Sequence, residues 1–79
     1  MKQKDLTAEQ LHKIIGSNVA KYRKEKGLSQ LDLSLEMGYK SVSVVSGAEI
    51  YYNNIHFNIE QLLKISQILE VDICEFFKP

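Results

Sequence analysis

The stretch Gly27-Leu28-Ser29-Gln30-Leu31-Asp32-Leu33-Ser34-Leu35-Glu36-Met37-Gly38-Tyr39-Lys40-Ser41-Val42-Ser43-Val44-Val45-Ser46-Gly47-Ala48-Glu49 decides the reading of this 79-residue chain. Ser29 reads as an N-cap with Asp32 three residues on, so a helix is expected over 30–37. Leu31 or Leu33, with Leu35 and Met37, supplies its apolar face, and Gly38 ends it. Ser41 then caps a second helix, expected over 42–49. Its valines and Gly47 make it a poor helix by intrinsic propensity. Packing has to hold it, which points to a tertiary motif of two short helices across a tight turn, about 29–49.

The flanks add three more helices. Thr7 and Gln10 form a capping box, and Leu11, Ile14, Ile15, Val19 and Tyr22 recur at helical spacing. Gly27 supplies a left-handed stop, so this helix is expected over 8–26. Residues 50–57 read as a loop. Asn58 and Gln61 open a helix over 59–69, with Ile59, Leu62, Leu63, Ile65, Ile68 and Leu69 as its core side. Asp72 and Glu75 form a last capping box for a short helix over 73–77 that carries Phe76 and Phe77. No strand signal of convincing length is present. The expected fold is all-α, a compact five-helix single domain over 1–79, with Ile15, Val19, Tyr22, Leu33, Met37, Val45, Leu62, Ile65 and Leu69 in its core.

Composition bounds the function. A chain of this length buries only about 60–65% of its unfolded surface, so a partner subunit would help it. Hydrophobic residues at 44% and charged residues at 25% are ordinary for a soluble globular domain. The single cysteine, Cys74, forms no internal disulfide, which fits a cytoplasmic location. No apolar run is long enough to span a membrane, and none follows Lys2 and Lys4 as a secretory signal requires. His12 and His56 lie far apart in sequence and lack metal-ligand spacing with Cys74, which reads as a packed residue. Neither a phosphate-cradling glycine loop nor a catalytic constellation is visible, so no enzyme, metal, cofactor or small-molecule ligand is expected. The net charge is zero, but residues 1–27 carry +4 and residues 28–79 carry −4. One pole can therefore face phosphates.

From about Ile15 to Phe77 the chain resembles the phage Cro and repressor type of helix-turn-helix regulator. The resemblance rests on Ile15-Gly16, Tyr22-Arg23, Gly27-Leu28-Ser29-Gln30, Leu33-Ser34, Met37-Gly38, Ser41, Val45-Ser46 and Glu49. It continues through Leu62-Leu63-Lys64-Ile65-Ser66, Leu69-Glu70-Val71-Asp72-Ile73 and Phe76-Phe77. In size the chain also resembles controller proteins of restriction–modification systems. The resemblance implies a DNA-binding transcriptional regulator, a repressor or autoregulator, that binds operator DNA as a homodimer with the second helix of the motif in the major groove. It implies that Gln30 bonds a phosphate and braces that helix, and that Arg23 pairs with Glu49.

The base-reading positions fall on Val42, Ser43 and Gly47, none of which has the long polar side chain that reads guanine or adenine. Val42 can touch a thymine methyl and Ser43 can bond any base edge. Specificity is then expected from Lys40, thymine contacts, water and DNA shape. Ser41 and Ser46 complete the groove-facing set, while Lys21, Arg23, Asn53 and Asn54 are expected at the phosphate backbone. Ile73, Phe76 and Phe77 offer more apolar surface than a short terminal helix needs, so they are the expected dimer interface. The alternative is a protein-interaction module on the same fold, of antitoxin or anti-repressor type. Neutral charge, an apolar recognition helix and Tyr51-Tyr52 would suit that role.

Overall fold

Hydrogen-bonded caps set the helix starts. In the computed structural model, which describes residues 5–79, α1 runs Ala8–Glu25, α2 Gln30–Glu36, α3 Ser43–Ile50 and α4 Ile59–Leu69. Lys2 and Lys4 of the basic segment lie outside the described residues. Thr7, Ser29 and Asn58 each accept from the backbone N–H three residues on, and Gln10, Asp32 and Gln61 return the bond. These are the capping boxes expected from the sequence. Gly27 and Gly38 take left-handed φ angles of 80° and 94° after α1 and α2, where any side chain would be strained.

Two expected caps differ. The N-cap of α3 is Val42, in helical conformation and without a side-chain cap bond. Ser41, the expected cap, keeps only a long bond from the Ser43 N–H to its Oγ at 3.4 Å, and that Oγ lies closer, 2.8 Å, to the Ser43 Oγ. At the C-terminus Asp72 accepts from the Cys74 N–H rather than closing a box with Glu75. Residues Ile73–Phe77 accordingly form a 3-10 helix, so the described residues hold four α-helices and a terminal 3-10 segment rather than five α-helices. Five residues are too few to gain from α-helical hydrogen bonding. A further 3-10 turn, Tyr52–Asn54, follows α3, and no strand occurs among the described residues.

The core is one cluster of Ile15, Val19, Leu33, Val45, Ala48, Phe57, Leu62, Ile65, Leu69 and Phe76. Tyr22 and Met37, expected within it, are only partly buried at its edge. Ala48, Phe57 and Phe76, not expected from the sequence, complete the buried cluster. Helices α1 and α3 approach so closely that a Cβ on Gly16 would stand 2.4 Å from the Ala48 carbonyl oxygen and 2.6 Å from that of Glu49. Only glycine permits that crossing. The tail is tied back by Asn18, whose Nδ2 donates to the carbonyl oxygens of Phe76 (2.9 Å) and Lys78 (2.8 Å). Phe76 is fully buried.

Candidate nucleic-acid interface

Three helices meet at one buried carboxylate. Arg23 of α1 donates from Nε to Glu49 Oε2 at 2.7 Å and from Nη2 to Oε1 at 3.1 Å. Gln30 of α2 donates from Nε2 to the same Oε1 at 2.8 Å. Arg23 Nη1 adds a bond to the Leu28 carbonyl at 2.9 Å. Arg23 and Glu49 are 7% and 6% exposed, so the pair is not a surface bridge. Bidentate geometry and the third donor offset the desolvation that a buried pair otherwise fails to recover. Helix α3 is thereby fixed in rotation and in register against α1 and α2.

With α3 fixed, its helical period determines what faces out. At 100° per residue, Val42, Ser46, Ile50 and Ser43 fall within an arc of about 100°. Val42, Ser43 and Ile50 are exposed and Ser46 is half-exposed, its Oγ donating to the Ser43 carbonyl at 3.3 Å. Gly47 is buried, contrary to the open base-reading position expected for it. The side chain of Ile55, from the loop after α3, lies over it. A Cβ on Gly47 would stand 3.0 Å from Ile55 Cδ1 and 3.4 Å from Cγ2. Ile55 and Ile50 are residues that sequence reasoning missed. The signal for Ile55 was Gly47 itself, a bare helix position that a neighbour could cover.

Lys40 and Ser41 are exposed in the turn between α2 and α3, and Asn53 and Asn54 are exposed just beyond α3. Both asparagines have left-handed φ, a conformation their short polar side chains tolerate. Lys21 and Arg23 are not brought to this surface. Arg23 has spent its guanidinium on Glu49 and Leu28. Lys21 lies about 160° around α1 from Arg23, on the far side from α3, with its ammonium 5.1 Å from the Tyr22 ring centroid. The expected dimer patch also fails in part. Phe76 closes the monomer's own core, and Ile73 and Phe77 are half-buried against it. Two exposed apolar pairs, each one turn apart, lie elsewhere: Ile59 and Leu63 on α4, expected in the core, are 64% and 51% exposed, and Leu31 and Leu35 on α2, read as part of its apolar face, are 47% and 55% exposed.

His12 and His56 come together although 44 residues separate them in sequence. Their rings stack with centroids 3.9 Å apart, and Tyr51 stacks on His12 at 5.7 Å. His56 Nδ1 lies 2.8 Å from the Asn54 carbonyl oxygen, whereas His12 Nδ1 is buried without a partner. Burial, and then the neighbouring His56, hold the His12 pKa below its ordinary value. The stack joins the loop after α3 to α1, and Tyr51 ends α3 with a left-handed φ of 59°. No group of three or more metal-ligating side chains occurs among the described residues. Cys74, expected to be packed, is exposed, and its hydrogen bond with Asp72 raises its pKa.

No described helix is long and apolar enough to cross a membrane. The family model described as helix-turn-helix matches residues 19–76, which takes in the Glu49 junction, both motif helices and the tail through Phe76. A comparison with curated proteins returned no match.

Proposed function

The chain belongs to the Cro/repressor type of helix-turn-helix family, DNA-binding regulators of transcription, and on that premise we propose that it binds operator DNA as a homodimer and acts as a repressor or autoregulator. The observation that carries the reading is the Glu49 junction, which holds α3 rigidly while leaving Val42, Ser43 and Ser46 outward. Rigid presentation is what reading base edges in a groove requires.

The contacts divide by chemistry. Gln30 spends one Nε2 hydrogen on Glu49 and keeps a second for a phosphate. Lys40 supplies positive charge, and Ser41, Asn53 and Asn54 supply neutral donors around it. Ser43 and Ser46 offer hydroxyls to base edges, and Val42 offers a methyl surface to thymine. Dimerisation runs through Ile59 and Leu63 of α4, an exposed apolar pair that a second copy would cover. A second reading, a protein-binding module, is favoured by the exposure of Ile50 and Tyr52 beside α3. Selection from a random duplex pool, followed by affinity measurement against salt, tests the proposal. Enrichment of a two-fold symmetric site with affinity falling as salt rises supports it. Failure to enrich any sequence, with salt-independent capture of a protein partner, supports the second reading.

A further inference from the structure

We infer that Ile55 is a specificity-determining residue, delivered from the loop onto Gly47, and that together with Val42 it selects C5-methyl groups of pyrimidines in the major groove. The inference rests on the DNA-binding reading above. Its starting point is the bare position on the recognition helix. Gly47 follows Ser43 by four residues, so it lies about 40° around α3 and about 6 Å further along from that exposed side chain. A side chain at position 47 would therefore project beside Ser43. Ile55 fills that place from outside the helix, with its Cβ, Cγ2 and Cδ1 within 3.0 to 3.5 Å of where the missing Cβ would be. It is not consumed by the core, since 38% of it stays exposed, close to the 36% of Val42.

The surface so formed is apolar at both ends, with the Ser43 hydroxyl between them. It contains no Arg, Lys, Asn or Gln to form bidentate bonds with guanine or adenine. Guanine and cytosine edges present polar groups that Val42 and Ile55 would desolvate without a partner, which costs binding. The C5-methyl of thymine is the one apolar group on an unmodified major-groove edge. 5-Methylcytosine carries the same group, so the shared chemistry is the methyl itself. The loop is held for this purpose by the His12–His56 stack and by the Ile55 N–H bond to the Tyr52 carbonyl at 2.9 Å.

The test uses a duplex enriched from a random pool by the intact protein. Each thymine in turn is replaced by deoxyuridine, which removes the C5-methyl and leaves the pairing. Affinity is expected to fall about fourfold at each of two positions per half-site, the loss for one buried methyl. Ile55→Ala should abolish the deoxyuridine effect at one of them and Val42→Ala at the other, with affinity for unrelated DNA unchanged. Ile55→Val, which keeps the β-branch and Cγ2 but loses Cδ1, should retain part of the effect. Placing 5-methylcytosine at a sensitive position distinguishes the sources. Recovery of affinity there assigns the contact to the methyl on either base, and no recovery assigns it to thymine. Deoxyuridine substitutions that change affinity less than twofold throughout would overturn the inference while leaving DNA binding intact. So would an Ile55→Ala protein, folded by circular dichroism, that keeps full deoxyuridine sensitivity. If the intact protein enriches no duplex at all, the DNA-binding reading itself falls.

Discussion

Replacing Gly16 by Ala sets two physical effects against each other with opposite signs. By helix propensity alone the substitution stabilises α1 by about 1 kcal/mol. The crossing with α3 opposes it. The new Cβ would stand 2.4 Å from the Ala48 carbonyl oxygen, 2.6 Å from that of Glu49 and 2.9 Å from the Glu49 carbonyl carbon. All three are backbone atoms, so no rotamer change relieves the clash. The helices must separate by about 1 Å to restore ordinary contact distance, and the Arg23–Glu49 pair sits in the same seam. Overpacking costs about 1–3 kcal/mol where side chains can yield. We expect the upper end or beyond here, for a net loss of about 2–3 kcal/mol after the propensity gain. For a domain of this size that lowers the Tm by about 10–20 °C. Thermal and urea unfolding followed by circular dichroism measure it. A Gly16→Ala protein with an unchanged or raised Tm would refute the close-packed crossing.

Other outcomes follow from the same geometry. Glu49→Leu leaves Arg23 charged and buried, and should cost about 3–5 kcal/mol in urea unfolding, with much of the loss recovered when Arg23→Met is added. Phe76→Ala should destabilise the monomer by about 3–5 kcal/mol, because Phe76 is core and not interface. Leu63→Lys should shift sedimentation towards monomer while leaving the Tm of the fold nearly unchanged. Folding stability should fall in mild acid. His12 has its folded pKa below the ordinary 6.5, so the unfolded chain takes up that proton first. The stability present above that pH is lost as pH falls through the folded value. His12→Gln should flatten the urea midpoint between neutral and mildly acidic pH, and an equal slope in both proteins would exclude the histidine stack as its source.

Local signals carried much of the fold into the sequence. Thr7, Ser29 and Asn58 announced their helices because capping is a contact across three residues, and the structure places all three boxes as read. Ser41 caps only weakly, with a 3.4 Å bond from the Ser43 N–H, because a serine before a helix has other partners, here the Ser43 hydroxyl at 2.8 Å. Ile59 and Leu63 misled because helical spacing identifies an apolar stripe without saying how much of it the monomer covers. The Arg23–Glu49 pair was visible through family resemblance, but its burial was not, since burial depends on the α1–α3 crossing. The same long-range geometry placed Arg23 inside and Lys21 on the far side of α1, and neither fact is written in local sequence. The stacking of His12 on His56 and the covering of Gly47 by Ile55 are likewise products of the loop's path, set by residues far apart in the chain.

The central claim is that a rigidly held, nearly uncharged recognition helix still docks on DNA, with Lys40 supplying charge at the phosphates. Fluorescence anisotropy of the enriched duplex, measured from 50 to 200 mM salt on the intact protein and on Lys40→Ala, addresses it most directly. The account predicts that log K falls linearly with log salt. It also predicts that loss of Lys40 flattens the slope by about one unit per protomer, without changing which sequence is preferred. An affinity independent of salt, or a slope identical in the two proteins, would contradict it.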